Sequence, residues 1–195
     1  MAFGRTLFAS CLLVATLFIT PAGAQTEQHR RPDVVFVPTT DEAVAAMLKL
    51  AEVKKTDVVY DLGCGDGRIV IAAAKLGARA VGIDIDPVRI AEAKENAKKA
   101  GPEVEKLVQF IEGDLFTADI HEANVVTLFL LSSLNLKLRP KLLQDLKPGT
   151  RIVSNTFNMG DWKPVKELTV GSPPDQEGKY SLSKKIMLWT IPPRN

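Results

Sequence analysis

Cysteine is scarce in this chain: Cys11 and Cys64 are the only two among 195 residues. Cys11 falls in the leader described below, so the rest of the chain holds one thiol and has no internal disulfide available to it. Histidine is just as sparse. His29 and His121 stand too far apart for a catalytic or metal cluster, and no metal site is expected. Aromatic residues make up 6% of the chain, and 25 basic residues face 23 acidic ones. With lysines dispersed among glutamates, no massed positive field offers itself to nucleic acid, and no nucleic-acid partner is expected. Repeats and low-complexity tracts are absent too. Stability must come from a hydrophobic core, for which 46% apolar content and this length suffice in a single domain.

The first 24 residues read as a leader rather than as part of that domain. Arg5 supplies a positive start, Leu7 to Ile19 is an uncharged apolar run, and Ala22-Gly23-Ala24 is a small-residue cleavage site. The run is short for a bilayer span of about 20 residues. A signal peptide over residues 1–24 predicts an exported, periplasmic protein. An uncleaved anchor would instead associate the chain with a membrane, and a misplaced start would leave it cytoplasmic.

Residues 25–38 read as an arm, polar at first and extended from Val34 to Pro38. From residue 39 onward strands and helices alternate. Thr39 and Glu42 have capping-box spacing, and Val44, Met47, Leu48 and Ala51 form one apolar helical face. Val58 to Leu62 is a strand, Ile69 to Leu76 a helix stopped by Gly77, and Ala80 to Ile85 a second strand. Asp86-Pro87 caps the next helix, which runs to Gly101-Pro102. Strands follow at Leu107 to Ile111, Asn124 to Leu130 and Arg151 to Asn155, with a helix around Leu136 to Leu146. Trp162 to Val170 and Tyr180 to Ile191 close the chain as two strand-like segments around the Gly171-Ser172-Pro173-Pro174 loop. The alternation predicts an α/β fold, a parallel sheet covered on both faces, with an antiparallel hairpin at one edge.

In such sheets ligands lie beyond the carboxyl ends of the strands. Strand one delivers Asp61 and the loop Gly63-Cys64-Gly65-Asp66-Gly67, strand two delivers Asp84, and strand three delivers Asp114. Gly63 and Gly65 bring bare backbone close to a ligand. Asp84 suits a pair of ribose hydroxyls, Asp114 an exocyclic amine with Leu115 against the ring, and Asp61 an ammonium group. Each feature alone has a plainer reading, as a tight turn or a helix cap. Asp86 is read as a cap because Pro87 follows it, Asp66 as a loop polar residue or cap, and Cys64 as small filler within the loop. Jointly the three strand-tip acids and the glycines point to a nucleoside carrying an amino-acid tail. A nicotinamide site would need G-x-G-x-x-G, whereas here the third glycine falls one residue early.

Asp61-Leu62-Gly63-Cys64-Gly65-Asp66-Gly67, Val81-Gly82-Ile83-Asp84 and Gly113-Asp114-Leu115-Phe116 resemble the three cofactor motifs of class I S-adenosylmethionine-dependent methyltransferases. That resemblance covers Phe36 to Ile191. It implies a Rossmann-like seven-stranded sheet of order 3-2-1-4-5-7-6 with strand seven antiparallel, and S-adenosyl-L-methionine as cofactor. A narrower resemblance rests on Phe36-Val37-Pro38-Thr39-Thr40, Asp61 through Val70, and Leu128-Phe129-Leu130-Leu131. These look like the small protein-lysine methyltransferases related to the mitochondrial enzymes that modify the ATP synthase c-ring protein and the adenine nucleotide carrier. The resemblance implies a protein lysine as acceptor. A small-molecule acceptor and a non-catalytic cofactor-binding module remain the alternatives.

The acceptor end is expected past strand four, at Leu130-Leu131-Ser132-Ser133-Leu134-Asn135. It lacks the Asn/Asp-Pro-Pro-aromatic tetrad that grips exocyclic base nitrogens, which counts against base methylation. An apolar wall with hydroxyls suits an aliphatic amine. Asn155, Thr156 and Asn158 are either pocket or turn residues, and no general base is identifiable.

Overall fold

The computed structural model describes residues 36–171 and 183–194, together with Met1. The leader, residues 25–35 of the arm, most of the Gly171–Pro174 loop and the Tyr180 end of the last strand lie outside the described residues.

Strand β1 (Val58–Leu62) forms the centre of the sheet because its β-branched and apolar residues are buried on both faces. On one side it pairs in parallel with β2 (Arg79–Asp84), and β2 pairs with β3 (Val108–Glu112). On the other side β1 pairs in parallel with β4 (Val125–Leu128), which pairs with β5 (Arg151–Asn155). The expected hairpin of β6 (Lys166–Val170) and β7 (Lys184–Thr190) completes the sheet, with β7 antiparallel to β5 and β6 on the outside. The order is β3-β2-β1-β4-β5-β7-β6.

Helices α1 (Asp41–Leu50), α2 (Arg68–Lys75), α3 (Pro87–Ala100) and the single turn α4 (Pro102–Glu105) bury their apolar stripes in one core layer. The opposite layer is built from α5 (Ser132–Asp145), the segment around Ile120, and the tryptophans of the hairpin. Trp189 is fully buried, with its indole N–H donating to the Trp162 carbonyl at 2.8 Å.

Two boundaries differ from the sequence expectation. Helix α1 is capped by Thr40, whose hydroxyl accepts from Ala43 N, rather than by Thr39. Thr39 is engaged elsewhere, because its carbonyl accepts a 2.6 Å hydrogen bond from Arg68 Nη1. Helix α5 starts at Ser132, four residues before Leu136, with no side-chain cap to announce it. The Asp86 cap is as expected: its carboxylate accepts from Val88 N at 2.8 Å. Among the described residues no helix is long and apolar enough to cross a membrane.

Candidate active site

Parallel strands that end in register bring their loops together along one edge of the sheet. Asp61 lies opposite Gly82 on β2 and Thr127 on β4. The loop after β1 folds back at once, with the N–H groups of Gly63 and Cys64 both donating to the Ile83 carbonyl at 2.8 and 3.0 Å. Cys64 packs on Gly82: a Cβ there would stand 2.8 Å from the Cys64 sulfur. The thiol is buried, which pushes its pKa up, so Cys64 is the inert filler its sequence context suggests.

Asp84 at the tip of β2 anchors the loop through both oxygens. Gly65 N donates to Oδ2 at 2.8 Å and Asp86 N to Oδ1 at 3.0 Å. Gly65 has φ +52°, and a Cβ on it would lie 2.1 Å from the Phe36 ring. The glycine therefore serves both the turn and the arm that packs over it. Arg89 covers the same Phe36 ring at 5.1 Å from the centroid. Arg68 holds the arm a second time, binding Asp66 through Nε and Nη2 and the Thr39 carbonyl through Nη1. Burial opposes ionisation of Asp66, but the Arg68 hydrogen bonds and charge outweigh it and hold the carboxyl below its ordinary value.

Asp61 is 3% exposed. Its Oδ1 accepts a 2.6 Å hydrogen bond from the Thr127 hydroxyl, and among the described residues no cationic side chain pairs with it. Burial raises its pKa to about 7; the Thr127 bond opposes the rise, and the charges of Asp84 and Asp66 add to it.

These residues enclose a cavity of about 280 Å³. Six of the seven predicted site residues line it: Asp61, Gly63, Cys64, Asp84, Asp114 and Leu115. The seventh, Gly65, lies beneath, between Asp84 and Phe36. Asp114 Oδ1 accepts from Phe116 N at 2.9 Å, which folds the turn that carries Leu115 to the wall. Sequence reasoning did not assign Phe36, Arg68, Arg89, Phe116, Phe129 or Thr127 to the site. Phe36 and Phe129 stood within recognisable motifs, whereas Thr127 carries no local signal at all. The wall past β4 is Phe129, Leu130 and Leu134. Ser132 and Ser133 begin α5 rather than line the cavity, and Asn155, Thr156 and Asn158 form a turn.

The donor set suits a nucleoside with a cationic tail. Carboxylates stand at successive strand tips, the buried Asp61 awaits a counter-charge, and the glycine backbone leaves the approach open. A seven-stranded sheet of this order with such a site defines the class of S-adenosylmethionine-dependent methyltransferases, and S-adenosylmethionine is the cofactor. Residues 61–166 match the sequence profile described as the ANTKMT methyltransferase domain, and the chain belongs to that family. It is 48% identical to a protein-lysine N-methyltransferase of Saccharolobus islandicus, over 71% of this chain and 86% of that protein. It is 33% identical to the Homo sapiens lysine N-methyltransferase named for the C protein of ATP synthase, over 83% of this chain but only 65% of the human protein's length. A crystal structure described as an RNA methyltransferase from Salinibacter ruber in complex with S-adenosyl-L-homocysteine superposes with TM-score 0.72. It shares 52% identity and covers 82% of this chain and 96% of that one.

Proposed function

We propose that this chain methylates the side-chain amine of a protein lysine. The observation that carries the reading is the wall beyond β4, where Phe129, Leu130 and Leu134 face the cavity with no carboxylate or imidazole among them. A lysine amine has a pKa of about 10.4 in water, and an apolar, desolvated wall favours the neutral nucleophile. The lysine-methyltransferase relatives from Saccharolobus islandicus and Homo sapiens support the same acceptor.

In this reading Asp61 holds the cofactor's ammonium, Asp84 the ribose hydroxyls, and Asp114 with Leu115 the adenine. Gly63, Cys64 and Gly65 supply the loop that lets backbone approach. S-adenosylmethionine supplies the electrophilic methyl on its sulfonium. The protein's contribution is to bind, orient and exclude water. Phe36, strapped down by Arg68 and Arg89, shields the loop from solvent.

The test is incubation of the purified chain with methyl-labelled S-adenosylmethionine and, separately, protein extract and RNA from the same cells. Label in protein, mapped by mass spectrometry to lysine and absent with Asp61→Ala, is the expected result. Label in RNA alone would favour the activity named for the Salinibacter ruber neighbour. Label in small molecules alone would move the acceptor there, and tight S-adenosylhomocysteine binding without any transfer would make the chain a binding module.

We also propose, from Arg5, the apolar run and Ala22-Gly23-Ala24, that the chain is exported and processed after Ala24. N-terminal sequencing of the tagged protein from fractionated cells tests this. A mature start at Gln25 is expected, and an intact Met1 in the cytosol would refute it.

A further inference from the structure

Among the described residues three phenylalanines line the cavity, and each has a basic side chain over its ring: Phe36 with Arg89, Phe116 with Lys137, and Phe129 with Lys184. The first two stand on the β3–β2–β1 side, beside Gly65 and Asp114. Phe129 differs. It follows β4, on the far side of Asp61 from Asp84 and Asp114, and stacks on Phe157, with ring centroids 5.9 Å apart.

That stack is held by deliberate local structure. Thr156 adopts φ +68°, a left-handed conformation costly for a β-branched residue, and so turns the chain back after β5. The Phe157 carbonyl is then tied down by the Ser154 hydroxyl at 2.7 Å and the Asn135 amide at 3.2 Å. Asn135 Oδ1 and Asn155 Nδ2 are buried without hydrogen-bond partners, so the turn persists at a polar cost as well.

The Lys184 ammonium lies 5.5 Å from the Phe129 centroid, and among the described residues no carboxylate pairs with it. It is an alkylammonium on an aromatic face at the cavity wall, the same chemistry as a lysine acceptor or its methylated product. We propose that the Phe129 ring, backed by Phe157, is the seat of the acceptor's ammonium and that Lys184 occupies this seat until the acceptor displaces it. The proposal rests on the lysine-acceptor reading. A flexible four-carbon stem lets Lys184 withdraw, and a methylated ammonium keeps its attraction to the ring, so the seat serves each successive methylation state.

The probe is Nα-acetyl-trimethyllysine amide, a fixed cation, titrated into the full chain with ¹³C-labelled phenylalanine rings and followed by NMR. Phe129 signals are expected to shift. Lys184→Met should tighten binding roughly two- to five-fold by removing the internal competitor, and Phe129→Leu should abolish the saturable shift. On the wild-type chain, a neutral analogue with carbon in place of nitrogen should bind more weakly. Unchanged affinity in Lys184→Met, or equal binding of the neutral analogue, would overturn the seat, even if lysines prove to be methylated. Label found only in RNA would sink the lysine reading instead, whatever this titration shows.

Discussion

The Thr127 hydroxyl donates a 2.6 Å hydrogen bond to Asp61 across the β1–β4 pairing, at the buried centre of the site. It is the one hydrogen bond that opposes the desolvation of this carboxylate. The folded pKa of about 7 lies above the unfolded value of 3.8, so the cofactor-free fold binds the extra proton between those limits. Its contribution to stability is therefore present at low pH and is lost as pH rises towards 7 and beyond. Asp61→Asn should be more stable than wild type at pH 8 without ligand, by on the order of 2–4 kcal/mol, and the gain should vanish near pH 4. Denaturant unfolding of both proteins across that range is the measurement.

Ligand affinity should move the opposite way. A cationic tail requires ionised Asp61, so S-adenosylhomocysteine binding should weaken as pH falls below about 7, approaching tenfold per unit. Thr127→Val removes the opposing bond and should shift that profile to higher pH. Calorimetry that shows a flat profile from pH 6 to 8 would refute the assignment.

Gly65 and Gly67 should tolerate alanine for different reasons and to different degrees. At Gly65 the new methyl meets the Phe36 ring, on an arm that can lift. At Gly67, with φ +78°, it meets the Phe110 ring at 2.7 Å and the Ala93 methyl at 2.9 Å, inside the core. Both changes pay the left-handed backbone penalty of about 1–2 kcal/mol. Gly67→Ala should lose about 1–3 kcal/mol more through overpacking. Removing the ring with Phe36→Ala should recover stability only for Gly65→Ala, as thermal unfolding of the double mutants would show.

Asp84→Asn places an amide nitrogen against one of two backbone N–H donors, Gly65 or Asp86. The loop should lose one charge-assisted bond and the site a ribose partner. S-adenosylhomocysteine affinity should fall at least about tenfold. Wild-type affinity in this variant would mean that Asp84 shapes the loop without touching ligand.

Arg151 offers the converse, stability without affinity. It binds Asp57 at 2.6 Å and the carbonyls of Ala51 and Glu52 at 2.6 and 2.9 Å, tying the end of α1 to the start of β1. Arg151→Ala leaves buried acceptors unpaired at a cost of about 2–3 kcal/mol, a fall in melting temperature of roughly 4–10 °C. Because this cluster lies at the strand starts, away from the cavity, ligand affinity measured below the transition should be unchanged.

The strand β1 at Val58–Leu62, strand β5 at Arg151–Asn155 and the Asp86 cap were all legible in the sequence, because each signal lies within a few neighbouring residues. The three strand-tip acids were legible too, since parallel topology makes strand ends converge whatever the side chains between them. The unannounced start of α5 was not, because no capping side chain marks it. Cys64 shows the boundary between the two kinds of information. Its isolation from other thiols was plain from composition, but its place in the hollow of Gly82 is a contact between loop and strand.

The sequence by itself therefore determined the alternation of elements, the glycine loop and the acids that ring the cofactor end. Only the tertiary structure decided that Thr127 meets Asp61 across 66 residues of chain, that Phe36 folds over Gly65, and that Phe157 backs Phe129 beneath Lys184. The physical reason is the range of the interactions. Propensity and capping act within a turn of the chain, whereas cross-strand register and ring stacking are fixed only when distant segments pack together.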